Sequence, residues 1–319
     1  MSAASLRPNF YSSSGLVPVA AWIMVAALLI PLAFVSGIVY CAAVVLIPAV
    51  KLRWIASVGL GWVLGGLAAK VCRLGKVRAS LFAVLAAGLA VAAAYYAAWG
   101  VHRALLIAAG LGVDVQLNQA LLRGFLPGEI VRWMGWQVRN GGGAGIGGLP
   151  LVGVWLVELG AIIYFTRTTF LAAWDQRPFC EPCDCWTIGP EEIANLPVSP
   201  SDPAWQRVIE VGPEAIRKLQ LTEDGSERVV LSVHCCPECD RSNYLSAAGG
   251  GWQANAEGET SYQELTVLRS MAVTSRQMEE LRALNEELEE AYRELSLGQV
   301  ERDLEIEAAG YSGSAASSP

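Results

Sequence analysis

Six of the eight cysteines fall in two short stretches, "FCEPCDCW" from Phe179 and "HCCPECD" from His234. Cys180-x-x-Cys183 and Cys236-x-x-Cys239 have the spacing that lets two thiolates converge on one side of a tight turn. Two such turns complete a tetrahedral four-sulfur set for a metal ion. Pro182 and Pro237 stiffen the turns by fixing φ. Cys185 and Cys235 each stand next to a pair. Either can substitute for a neighbour as ligand, and together they can sense oxidants. A closed shell of four thiolates argues against catalysis at the ion. Two other chemistries compete. Disulfides need an oxidising compartment, and a redox thiol needs a helix start to lower its pKa, which neither pair clearly opens. His234 reads as a solvated strand residue, and Trp186 as a shield against water.

The elements that must hold these thiols follow from the flanking pattern. "ERVVLSVHCCPECDRSNYLSAAGG" reads as a strand, a tight turn and a returning strand, and "QELTVLRSMAV" as a third strand with some helical character. Over residues 178–270 this resembles a zinc ribbon, in which each cysteine knuckle closes a hairpin. The resemblance implies a structural zinc ion on Cys180, Cys183, Cys236 and Cys239. The chain departs from it in the spacer, 52 residues between Cys183 and Cys236 where ~15–20 is usual. The excess is attributed to an inserted helical region at 190–220, where Asp202 can cap a helix over Pro203–Glu210 and "GPEAIRKL" starts another. Few large apolar runs lie here, so the core is expected to be thin. Zinc, worth about 10–16 kcal/mol in finger peptides, would replace it.

Ahead of the thiols the chain is apolar. Residues 15–50 carry no charge, and a span needs roughly 20 apolar residues. This is one long tilted helix, or a pair of short ones with Pro31 at the corner. A cleaved signal peptide is the rival, since Arg7 precedes the run and "AFVSG" offers small residues, but hydrophobicity continues beyond it and favours an anchor. Residues 54–71, 80–99 and about 149–168 are further spans, which makes four, or five with a pair. Trp54, Tyr95, Tyr96 and Trp99 lie at span ends, as headgroup-level rings do. The loop "CRLGKVR" is short and basic, which places it in the cytoplasm together with everything after about residue 168. Retained thiols agree with that side.

Residues 101–139 form two amphipathic helices broken at Pro127–Gly128, lying in the interface or capping the bundle. The glycine run 141–148 reads as a hinge, because no strand precedes it and no Lys-Ser/Thr follows. Gly61 and Gly65 make a small-xxx-small face for close helix approach. Glu158 lies in the last span, where an ionised group costs roughly 3 kcal/mol on insertion scales. It should face the bundle interior, serving a cross-helix hydrogen bond or an ion relay.

In "TSRQMEELRALNEELEEAYRELSLG", Thr274 and Gln277 make a capping box. Leu281, Leu288 and Leu295 recur every seven residues, with Met278, Asn285 and Tyr292 between them. That pattern allows a short coiled coil joining copies of the chain, or an acidic helix docked on its own domain.

The charge is divided unevenly. Residues 1–166 hold 11 Lys/Arg against three acids, net +8, and residues 167–319 hold 12 against 27, net −15. The basic front suits anionic lipid headgroups. The acidic rear is a poor match for phosphate backbones, which excludes nucleic acid as a partner. With two histidines and no Ser/His/Asp set, paired catalytic acids or phosphate loop, no reaction is legible.

The expected architecture is an α-helical transmembrane bundle of four spans, with five as the alternative, followed by a small α+β zinc-ribbon-like domain and a C-terminal acidic helix. Its segments are a tail at 1–14, the membrane region at 15–170, the thiol domain at 175–272, the helix at 274–308 and a disordered tail at 309–319. This layout resembles a class of multi-pass proteins of the bacterial inner membrane with a cytoplasmic four-cysteine domain. The resemblance brings no known activity. The residues point to a membrane-anchored interaction or scaffold protein with the bilayer and unidentified proteins as partners; a small transporter or channel using Glu158, and a thiol redox enzyme or sensor, are the alternatives.

Overall fold

The uncharged run at 15–50 forms a single helix, α1, built from Val19–Met24, Val25–Leu29 and Ile30–Leu46. Its middle segment is a π-helical turn in which the Ile30 N–H bonds to the Val25 carbonyl. That wide turn falls just before Pro31, which has no N–H to donate and whose ring would press on the preceding turn. The proline is thereby absorbed inside one helix, and the alternative of a pair is corrected. The computed structural model describes residues 9–46, 50–111, 117–141, 147–174, 177–220, 222, 227–239, 241–254, 260–290 and 293. Most of the glycine run, residues 1–8, the C-terminal tail and most of the helix expected beyond 290 lie outside the described residues. The chain divides into two compact units, Ser13–Gln176 and Met1–Ser12 with Arg177–Pro319.

In the first unit α1 is followed by α2 (Val50–Leu74), α3 (Ser80–Leu111), α4 (Leu117–Gly124), α5 (Pro127–Asn140) and α6 (Gly148–Ala173). Four helices, α1, α2, α3 and α6, are long and apolar enough to cross a membrane. Their outward side chains are apolar too: Trp22, Ile55, Leu81 and Leu156 are exposed. The packed faces are made of small residues. Ala83, Ala87, Ala90 and Ala94 of α3 are buried, and a Cβ on Gly37 of α1 would collide with the Ala94 carbonyl. Gly61 and Gly65 do the same for α2 against α6, where a Cβ would stand 2.7 Å from Phe165 Cβ and 2.6 Å from the Thr166 carbonyl. The small-xxx-small face expected at these two glycines is thus the α2–α6 contact.

The helices α4 and α5 pack on the C-terminal half of α3. The Phe125 ring covers Gly100, and Gly124 lies against Ala104. The Trp99 and Trp133 rings meet at 5.5 Å. Arg103 bonds Glu129 at 2.6 Å, and Arg132 bonds the other carboxylate oxygen at 2.8 Å. The Arg103 hydrogen bond holds the Glu129 carboxyl below the usual carboxylate range. The exposed residues of the two helices mix apolar Leu122, Val131 and Trp136 with Arg123, Arg132 and Arg139. The two helices expected over 101–139 are α4 and α5, but residues 101–111 are corrected: they continue α3, which carries Tyr95, Tyr96 and Trp99 inside the helix and not at its end.

The second unit is built on a four-stranded antiparallel sheet in the order β3-β4-β5-β6, from Ile188–Leu196, Arg228–Cys235, Asn243–Ala254 and Thr260–Val273. A two-residue hairpin of β1 (Phe179–Cys180) and β2 (Cys185–Trp186) precedes it. The hairpin expected around the second knuckle is β4–β5, and the third strand is β6. The helical expectation for 190–220 is corrected in part: its first residues are the edge strand β3, paired with β4 from Ile188↔Cys235 to Leu196↔Val229. Glu191 and Glu192 suited a helix start, but on an edge strand they point to solvent while Ala194 and Leu196 are buried. The rest of the insert is α7 (Ala204–Val211) and a 3₁₀ turn at Pro213–Lys218. Asp202 accepts the Ala204 N–H at 2.8 Å and the Gln220 N–H at 3.2 Å, so it caps the helix as expected.

These elements give the unit a core that composition understated. Trp205 and Val208 of α7, Ile216, Leu231, Leu245 and Met271 are buried together. Residues 275–290 form helix α8. Its capping box is reciprocal: Thr274 N–H donates to Gln277 Oε1 at 2.9 Å, and Gln277 N–H to Thr274 Oγ1 at 3.2 Å. Leu281 and Leu284 are buried in the same core, and Asn285 Oδ1 accepts the Asn195 N–H at 3.1 Å. The heptad seam of the described turns therefore faces its own sheet. Residues 9–11 return to the far edge, with Tyr11 N–H donating to Ser270 O at 2.9 Å and Ala272 N–H to Asn9 O at 2.7 Å.

Candidate metal centre

The first knuckle turns between β1 and β2, which pair Cys180 with Cys185 across the hairpin. Asp184 takes the left-handed conformation the tight return requires, φ 49°, which Asp tolerates better than most residues. Thr187 ties the base of the loop, its N–H and its Oγ1 both donating to Pro178 O. Phe179 is buried and meets the Trp186 ring edge-on at 5.0 Å. The second knuckle caps the β4–β5 hairpin, where Cys236 N–H bonds Ser242 O at 3.2 Å.

The two loops bring Cys180, Cys183, Cys236 and Cys239 together, all four Sγ atoms lying within 4.8 Å of one another. Cys180 and Cys239 are 3.7 Å apart. A tetrahedron with metal–sulfur bonds of about 2.3 Å has ligand–ligand edges of about 3.8 Å. Cys180 and Cys236 are buried, and Cys183 and Cys239 half-buried. These are the four residues expected from spacing. Of the two proposed substitutes, Cys185 stays at the site, 3.6 Å from Cys236 Sγ. Cys235 contacts Met278 Sδ of α8 at 4.0 Å and is not one of the four. Cys235 closes β4 facing α8, whereas Cys236 is the first residue of the turn that carries the second knuckle.

The electrostatics fit a cation. Burial works against the Cys236 thiolate, but backbone amides of Glu238 and Cys239 and the neighbouring thiols outweigh it and bring its pKa down to about 6. Burial pushes the Cys180 thiol up, and the adjoining Cys239 sulfur, with burial, pushes Cys183 up. Four thiolates this close repel one another, and a divalent ion removes the repulsion. Binding at neutral pH must then expel the protons of the raised thiols, so affinity is expected to climb with pH. Titration calorimetry in buffers of different ionisation enthalpy reads that release, and binding without proton release would contradict the four-thiolate set.

Glu158, the intramembrane acid expected from sequence, accepts a hydrogen bond from the Tyr40 hydroxyl of α1. That hydroxyl is also 3.1 Å from Ser57 Oγ of α2, which is buried. Tyr40 and Ser57 were not singled out from sequence, where a lone Tyr and Ser in apolar runs carry no periodic signal. Together these residues join α1, α2 and α6. Such a pair couples helices by about 0.6–2 kcal/mol in lipid. A double-mutant cycle of Tyr40→Phe and Glu158→Leu, read by unfolding in detergent, is expected to return a coupling in that range. A coupling of zero would remove the structural role.

Comparison with family models, curated proteins and solved structures finds no match.

Proposed function

We propose that the chain is a multi-pass protein of the bacterial cytoplasmic membrane that holds one structural zinc ion and presents its sheet unit in the cytoplasm as an interaction platform. The observation that carries this reading is the four-sulfur cluster, whose atoms lie within 4.8 Å of one another and in which Cys180 and Cys239 stand 3.7 Å apart, near the edge of a zinc–thiolate tetrahedron. Thiolate donors select soft or borderline ions, and four protein ligands leave no open position for substrate. Glu158 serves as a cross-helix hydrogen-bond acceptor. The four apolar helices supply the anchor, and the basic 73–78 loop orients it. An even number of crossings returns the chain to the side on which it began, in keeping with the pairing of residues 9–11 to β6. The acidic surface of the second unit suits a basic protein partner.

The test is the metal content of the full-length protein purified in detergent, together with thiol labelling from either side of the membrane. About one zinc per chain, with labelling only from the cytoplasmic side, is the expected result. A metal-free protein would overturn the zinc reading. Labelling from outside would overturn the orientation.

A further inference from the structure

Cys185 is surplus to the tetrahedron, yet the fold holds it against one of its corners. Its Sγ lies 3.6 Å from that of Cys236, and two independent constraints set the approach. The β1–β2 hairpin pairs Cys185 with Cys180, and the β3–β4 ladder opens at Ile188↔Cys235, three residues after the first thiol and one before the second. Cys185 is half-exposed while Cys236 is buried, so the surplus thiol stands between solvent and a ligand. A disulfide needs the two sulfurs at about 2.05 Å, and they already stand 3.6 Å apart.

We propose that Cys185 and Cys236 form an oxidation site that opens the metal centre, an inference that rests on the metal reading above. The oxidant is a two-electron acceptor of the peroxide class. Cys236 sulfur attacks one peroxide oxygen, the O–O bond breaks, hydroxide leaves, and the ligand becomes a sulfenic acid. The Cys185 thiol then attacks that sulfur. The S–S bond forms, the S–O bond breaks, and the thiol proton leaves with the departing oxygen as water. One thiolate and one thiol have together lost two electrons and one proton, and the peroxide has become one water and one hydroxide, which takes a proton from solvent. A Cys236 sulfur bonded to Cys185 would carry no charge to donate, so the site would keep three thiolates and would hold a divalent ion less tightly. A dithiol reductant reverses the disulfide and restores the set.

The experiment uses the full-length, zinc-loaded chain in detergent, hydrogen peroxide as oxidant and a chromogenic chelator that reports free zinc. The expected wild-type result is zinc release with a Cys185–Cys236 cross-link in a non-reduced digest, and recovery of zinc binding after dithiol treatment. In Cys185→Ser the zinc content before oxidation is expected to be unchanged, while the cross-link and the reductant-reversible part of the release are lost. Cys235→Ser, whose thiol faces Met278, should behave as wild type. Release and recovery unaltered in Cys185→Ser would overturn the proposal, as would a wild-type cross-link joining a different pair. The wild-type cross-link map decides the matter even where the variant does not fold. A chain that carries zinc but shows no Cys185–Cys236 bond sinks this inference alone, whereas a chain without zinc sinks the metal reading with it.

Discussion

Cys180→Ser and Cys239→Ser are each expected to leave the purified full-length protein without its metal ion, while its sheet remains folded. Loss of one of four thiolates breaks the tetrahedron, and the cost should exceed the about 10–100-fold that removal of a mere supporting residue costs a metal site. Chelation of the wild-type protein should act in the same way. The sequence, with few large apolar runs, suggested that the metal replaces a core and that its removal would unfold the domain. The structure supplies Trp205, Val208, Ile216, Leu231, Leu245 and Met271 in one buried cluster, and full burial of a large apolar side chain is worth about 1.5–3 kcal/mol. The two knuckle loops hold less apolar material, chiefly Phe179 and Trp186. Hydrogen exchange on the chelated protein should therefore rise in residues 178–187 and 235–243 and stay slow in β4, β5 and β6. Uniform exchange throughout the sheet would show that the ion supplies the folding free energy after all.

Gly65→Val is expected to separate α2 from α6 and destabilise the helical unit by about 1–3 kcal/mol or more, as overpacking does. The added Cβ would stand 2.6 Å from the Thr166 carbonyl and 2.9 Å from the Phe170 nitrogen. Both are backbone atoms, so no rotamer change relieves the clash. Gly61→Val should behave alike, with Phe165 Cβ at 2.7 Å and the Ile162 carbonyl at 2.9 Å. Gly66, one residue along the same helix, has nothing within 4 Å of its Cβ position, and Gly66→Ala should be neutral or mildly stabilising. Thermal unfolding in detergent separates the three. Equal losses at Gly65 and Gly66 would mean that something other than the α2–α6 approach sets the effect.

Local chemistry was legible where neighbours in sequence are neighbours in space. The Thr274–Gln277 box spans one helical turn, and it forms with both hydrogen bonds expected of it. Asp202 sits two residues from the N–H it caps. The two Cys-x-x-Cys pairs each fold within one turn, so their internal geometry needed no knowledge of the fold. The helical reading of 190–196 failed because its acids fit a helix start and an edge strand equally well, and pairing with β4 settled the choice. The heptad seam at Met278, Leu281 and Asn285 was ambiguous for a similar reason. An apolar stripe is the same whether it meets a second helix or a sheet, and Asn285 found its partner in Asn195, ninety residues away.

By itself, then, the sequence determined four apolar stretches long enough to cross a bilayer, two metal-type knuckles and a charge divide between the halves. Those properties are set by composition and short spacing, and they survive without any long-range contact. The tertiary structure decided how far apart the knuckles stand, that Glu158 meets Tyr40, that residues 9–11 complete an edge of the sheet, and which surplus cysteine joins the metal centre. Cys185 and Cys235 are equivalent on paper, each one or two residues from a ligand. Cys235 ends β4 facing Met278, and the β1–β2 hairpin carries Cys185 to within 3.6 Å of Cys236. Which of the two stands beside the four-sulfur cluster is fixed by how its strand is paired, a long-range property that local spacing does not carry.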